Sequence, residues 1–249
     1  MTEWYNNKIG LELEAWQRKM HRRPSIAGKL SKSVQDKLNS IIPQKVHKAI
    51  TATIKQMVRA VLFGAKYTVP QKNNFDSLQE TEIAVLKKIS NYKKTAAVEG
   101  GVTGAGGILL GFVDFPVLLG IKIKLLFDIA AMYGYNVKDY KERLYILYIF
   151  QLAFSSQKYK GEIFEKIEDW KNKSANLPDD IHSFDWYGFQ QEYRDHIDLA
   201  KMAQLIPGIG AVVGLFVNYQ LIKKLGNTAM NAYRMRLLET GYNNFQLSH

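Results

Sequence analysis

Apolar residues along this chain recur with helical spacing. From Trp4 to Met20 they fall at Ile9, Leu13, Trp16 and Met20, steps of four, three and four that build one stripe on an α-helix. A proline at 43 separates a short helix around Val34–Ile42 from a longer one, whose stripe is Val46, Ile50, Ile54, Met57, Val58, Val61 and Leu62. Residues 64–74, with Pro70 and Asn73-Asn74, read as a loop. Ser77 with Glu80 three residues on is the signature of a capping box, and the helix it opens carries Ile83, Leu86 and Ile89 on its apolar face. Further helices are predicted over Asp139–Gln157, Glu162–Asn172 and Asp185–Gln204. No stretch alternates with period two between hairpin turns, so no sheet is expected.

Two segments differ from the rest. Residues 102–121 carry one charge, Asp114, and one helix breaker, Pro116, whereas residues 205–222 carry no charge. Both approach the 18 to 20 or so residues that a membrane-spanning helix needs. Gly100 and Gly104, Gly107 and Gly111, and Gly210 and Gly214 are each spaced four apart, which clears one helix face for close approach of a neighbouring backbone. In water each such glycine weakens a helix by about 0.5–1 kcal/mol relative to alanine, so a compensating contact is expected. The fold predicted is therefore all-α: a multi-helix bundle in which two glycine-rich hydrophobic helices pack as a central hairpin, with basic amphipathic helices around them. One helical domain over 1–249 is the simplest organisation, with basic N-terminal helices over 1–74, a core over 75–240 and a tail over 241–249.

Charge narrows the function. The chain carries 34 Lys and Arg against 23 Asp and Glu, a formal charge of +11, and residues 1–101 hold 18 of the cations against 8 acids. Such an excess attracts an anionic bilayer or nucleic acid. No nucleic-acid-binding module accompanies it, so nucleic acid is disfavoured and anionic membrane lipid is the expected partner. Trp4, Trp16, Arg18, Lys19, Arg22, Arg23, Lys48, Lys55 and Arg59 are the candidate lipid-contacting residues, because tryptophan and basic side chains favour the headgroup layer. An ordinary helix packed on its own domain explains the N-terminal stripe equally well. The glycine-rich segments have basic flanks on both sides and give no orientation, and residues 122–204 pattern as a helical domain. Peripheral or re-entrant insertion, or simple burial, is thus preferred to two spans. With no apolar signal-peptide region at the N-terminus, the cytoplasmic side of the membrane is the expected location.

Catalytic signatures are few. There is no cysteine, no His-x-x-x-His or His-Glu-x-x-His pair, no Gly-x-Ser-x-Gly elbow and no phosphate-binding loop, so neither a metal site nor a cofactor is expected. The remaining candidates are Glu99, Asp114 and Asn218, carboxylates and an amide in apolar surroundings that Arg143 or Arg234 could join, which would suit a lipid- or peptide-acting hydrolase or transferase. The competing reading makes Asp114 the cap of a helix starting near Pro116 and pairs Glu99 with a neighbouring cation.

The run from Lys93 to Gly107, KKTAAVEGGVTGAGG, followed by Asp114-Phe115-Pro116, Tyr133-Gly134 and Arg143, resembles the centre of the EcsC family. Ile206-Pro207-Gly208-Ile209-Gly210 through Gly214, Asn218-Tyr219 and Ala232-Tyr233-Arg234 extend the likeness, which covers about residues 80–240 and leaves the N-terminal helices outside its most recognisable part. The resemblance implies a bacterial protein often encoded beside the ATPase and membrane subunits of an ABC transporter, and hence those subunits as possible partners.

Overall fold

A computed structural model describes residues 2–22, 44–63, 75–103, 107–156, 158–197 and 214–239. Nine α-helices run through them: α1 (Thr2–His21), α2 (Gln44–Phe63), α3 (Leu78–Thr103), α4 (Gly107–Met132), α5 (Tyr140–Phe154), α6 (Lys160–Ile167), α7 (Trp170–Ala175), α8 (Trp186–His196) and α9 (Gly214–Glu239). Among the described residues there is no strand, only an isolated antiparallel bridge between Ser155 and Ile197. The all-α prediction holds. The predicted helix around Val34–Ile42 and the loop at 64–74 lie outside the described residues.

The long helix α9 is the spine. It packs most extensively on α3 and also meets α4, α5, α1 and α7. α5 lies in the interior, burying Leu144, Tyr145, Ile146, Leu147, Ile149, Phe150 and its last four residues, Gln151–Phe154. Helix α2 covers α5 with the stripe read from its sequence: Ile50, Ile54, Met57, Val58, Val61 and Leu62 are buried. Similarly, Ile9, Leu13 and Met20 turn α1 inward, where it packs against α6 and α9.

Local chemistry sets three of the helix starts. Ser77 Oγ accepts from the Glu80 N–H at 3.2 Å, and the Glu80 carboxylate accepts from the Asp76 N–H at 3.1 Å, a capping arrangement shifted by one residue from the reciprocal box. Asp139 caps α5 by accepting from the Lys141 N–H, and Asp185 accepts from the Gly188 N–H at the start of α8.

Three expectations are corrected. Helix Glu162–Asn172 is two helices: Asp169 sits in the left-handed region at φ 53°, its carboxylate accepting from Asn172 Nδ2 and its N–H donating to Glu239 at the end of α9. Aspartate tolerates that conformation better than most residues, so the chain breaks there. Secondly, α4 starts at Gly107, which leaves Asp114 and Pro116 inside the helix and removes the reading of Asp114 as a cap. A proline within a helix forfeits a backbone hydrogen bond, and burial of Phe115, Leu118 and Leu119 around it offsets that loss. Thirdly, the face of α3 is rotated. Ile83 and Leu86 are exposed, at 59% and 51%, and the buried face is Leu78, Thr81, Glu82, Val85 and Ile89.

The predicted hairpin of two glycine-rich helices falls largely on residues outside the described set. The first straddles the end of α3 and the start of α4, and α4 runs on to Met132. α4 packs on α9, but the principal partner of α9 is α3. Gly100, Gly107, Gly111 and Gly214 fall on these helices with their packing outside the described set, and Gly104 and Gly210 lie outside it altogether. A described glycine at a tight helix contact lies elsewhere. A Cβ on Gly226 of α9 would stand 2.5 Å from Ile89 Cδ1 and 2.7 Å from its Cγ1, so α3 reaches α9 only because residue 226 has no side chain.

Candidate functional site

Two arginines two residues apart on α9 each hold a buried carboxylate. Arg234 donates from Nε and Nη2 to the two oxygens of Glu82 on α3, at 2.6 and 2.5 Å. Glu82 is fully buried, and Tyr133 and Tyr5 also donate to it, at 3.2 and 2.6 Å. The third guanidinium nitrogen, Nη1, reaches Glu12 of α1 and the Asn231 side chain. Burial works against the charged guanidinium, but the bonds and charge of Glu82 outweigh it and hold Arg234 above its ordinary pKa. Desolvation followed by the Glu82 bond raises Tyr5 well above the usual phenol value.

Arg236 faces another side. It donates to Glu142 of α5 at 2.6 Å, its guanidinium 3.9 Å from the centre of the Tyr135 ring and 4.5 Å from that of Tyr145. Tyr233 donates to the other oxygen of Glu142 at 2.7 Å. Burial pushes the Glu142 carboxyl above its ordinary value of 4.5 and prevails over the opposing pull of Arg236 and Tyr233. The Tyr135 hydroxyl is pushed up to about 12, again chiefly by burial. On α4, Asp128 is buried yet satisfied, bonded by Tyr92 at 2.7 Å and paired with Lys124 and Lys88 at 3.0 and 3.3 Å.

A cavity of about 440 Å³ opens beside the Arg234 cluster, between α1, α3 and α9. Lys8, Glu12 and Asn231 supply polar groups to it, and Ile83, Leu86 and Met230 supply apolar wall. This mixed lining explains why Ile83 and Leu86 face outward: Glu82, one residue away, is turned into the core by its arginine. Between α6 and α8 a further cluster brings ligand atoms of Glu162, Glu192 and His196 within 4.8 Å of one another.

The residues singled out from sequence fall in three groups. Trp4, Arg18, Lys19, Arg22, Lys48, Lys55 and Arg59 are exposed, and Trp16 is partly covered, its ring edge-on to Phe164 at 5.3 Å. Arg23 lies outside the described residues. Glu99 belongs to α3, Asp114 to α4 and Asn218 to α9, with their side chains outside the described set. The two arginines suggested as their companions each have partners among the described residues. Arg143 donates to the carbonyls of Val137 and Leu62, both at 3.0 Å, tying the end of α2 to the turn before α5, and Arg234 is held by Glu82.

Sequence reasoning missed Glu82, Asp128 and Glu142. Their one signal was a carboxylate at a helical position otherwise reserved for core residues, such as Glu82 among Leu78, Val85 and Ile89.

Residues 7–238 match the EcsC protein family. The chain belongs to that family. It is 44% identical over 229 residues to Protein EcsC of Bacillus subtilis (strain 168), a match covering 91% of this chain and 94% of that protein. A second relative from the same organism, Uncharacterized protein YdbA, is 26% identical over 247 residues and is covered to 90%, as is this chain. No solved structure matches. As an EcsC protein the chain is recognisable from α1 onward, since the match begins within that helix and runs to the last turn of α9.

Proposed function

We propose that this EcsC protein is a peripheral, lipid-binding accessory protein at the cytoplasmic face of the membrane, acting beside an ABC transporter. One observation carries the reading. The outer face of α1 presents Trp4, Lys8, Leu11, Arg18 and, just past the helix, Arg22, residues spaced so that all point the same way. Trp4 and Leu11 are each 67% exposed. The opposite face of α1 is already spent on Ile9, Leu13 and Met20. A helix with its own core contacts made, yet with tryptophan and leucine among cations on the outside, suits shallow seating in a headgroup layer.

None of the helices among the described residues is long and apolar enough to cross a membrane, which favours peripheral seating for that part of the chain. The transporter link rests on family membership. Flotation with vesicles tests the lipid reading: the protein rises with phosphatidylglycerol vesicles at low salt and stays behind with phosphatidylcholine. Absence of the protein from both floated fractions would remove the proposal. Association with the transporter is tested separately, by cross-linking the protein to the transporter's subunits in membranes.

A further inference from the structure

Glu192 and His196 stand four residues apart on α8, on one face of the helix, and Glu162 enters from the first turn of α6. His196 Nε2 lies 3.3 Å from Glu162 Oε1, and Nδ1 lies 3.6 Å from Glu192 Oε1. The imidazole is only 8% exposed and is stacked on Tyr159 with 4.4 Å between ring centres. Its Nδ1 is buried and makes no hydrogen bond. A buried ring nitrogen left in that state costs about 1–3 kcal/mol, and such a group calls for an explanation. Both carboxylates beside it reach solvent, the side chains of Glu162 and Glu192 being 52% and 39% exposed.

We propose that Glu162, Glu192 and His196 form a binding site for a divalent transition-metal ion of the zinc or manganese type. One imidazole nitrogen with two carboxylate oxygens is a donor set for ions that accept nitrogen and oxygen ligands together, not for those that require thiolates. Bonds of about 2.0–2.2 Å would draw donor atoms now within 4.8 Å of one another a little closer, a change that rotation of the exposed Glu162 and half-buried Glu192 side chains supplies once Lys166 is displaced. Three protein donors leave at least one position for water or a ligand. Lys166 enters the account as a competitor. It follows Glu162 by one turn of α6 and pairs with Glu192, so it holds one positive charge where the ion would bring two. The ion displaces that ammonium, and the freed carboxylate becomes a ligand.

The test uses the untagged full-length protein, stripped with a chelator and titrated calorimetrically with Zn²⁺ and Mn²⁺, with Co²⁺ absorption as a spectroscopic readout. One ion binds per chain. Glu192→Gln and His196→Gln each weaken binding at least about tenfold, the smallest loss that even a supporting residue of a metal site produces. Because His196 is buried, Glu162→Gln, at an exposed position, serves as the variant whose folding is least at risk, and circular dichroism checks all three. Lys166→Met tightens binding, a response that a purely structural ion pair would not give. No binding to the wild type, or equal binding to wild type and carboxylate variants (an adventitious ion only), overturns the proposal. So does weaker or unchanged affinity in Lys166→Met.

Discussion

Arg234 grips both oxygens of Glu82 across 152 positions of chain, joining α9 to α3 beneath the cavity that α1 closes. Both partners are buried, so removing one strands the other charge in a low-dielectric interior. Arg234→Met or Glu82→Met is expected to cost about 3–5 kcal/mol in urea unfolding. The double substitution to methionine restores much of that loss, because a buried pair can often be replaced by apolar groups of similar volume with little penalty. Additive losses in the double variant would show that the two side chains act independently.

That pairing also explains what could and could not be read from the chain. The stripe Ile9, Leu13, Met20 and the cap at Ser77 depend only on near neighbours, and both appear in the structure as expected. The orientation of α3 does not. Counting apolar residues selects Ile83 and Leu86 as its inner face, but the energy of leaving Glu82 without its arginine decides the rotation, and nothing within one helix reveals a partner on another. Similarly, the break at Asp169 depends on a bond to Glu239, seventy residues on. Of the candidate site, the basic positions of α1 and α2 were legible because solvated charge is a local property, whereas the clusters around Glu82, Glu142 and Asp128 exist only once the helices meet.

Glu142 gives a pH dependence of definite sign. Burial raises its pKa above 4.5, so the folded chain holds this proton more tightly than the unfolded one. The stabilising contribution is therefore complete below about pH 4.5 and is lost as the pH rises through the higher folded value. The difference in stability between wild type and Glu142→Gln, measured by urea unfolding from pH 4 upward, should shift against the wild type across that window. A difference that stays flat or moves the other way would contradict the burial-dominated account.

The outer face of α1 predicts a separable loss of membrane affinity. Each Lys or Arg close to an anionic surface contributes about 1 kcal/mol, so Arg18→Gln, Lys19→Gln and Arg22→Gln together should weaken vesicle binding by about 3 kcal/mol, near a hundredfold. Trp4→Ala with Leu11→Ala should also weaken it, but with little change in salt dependence. Because these side chains are exposed, the melting temperature should move little in either set. Sedimentation with vesicles, alongside thermal unfolding, separates the two effects.

Gly226 sets the spacing between α3 and α9. An alanine there would place Cβ against Ile89 at 2.5 Å from Cδ1, 2.7 Å from Cγ1 and 3.1 Å from Cγ2. The terminal methyl could rotate away, but Cγ1 and Cγ2 are fixed to a β-branched carbon with few open rotamers, so the helices themselves must separate. Alanine also favours a helix by about 1 kcal/mol over glycine, a gain that acts in the opposite direction. Overpacking of this kind costs about 1–3 kcal/mol, so Gly226→Ala should be neutral to destabilising by about 2 kcal/mol. Trimming the neighbour decides the cause: in an Ile89→Ala background the clash is gone and only the helix preference is left. There Gly226→Ala should stabilise the protein in urea unfolding. If it destabilises both backgrounds alike, contact with Ile89 is not what requires glycine at 226.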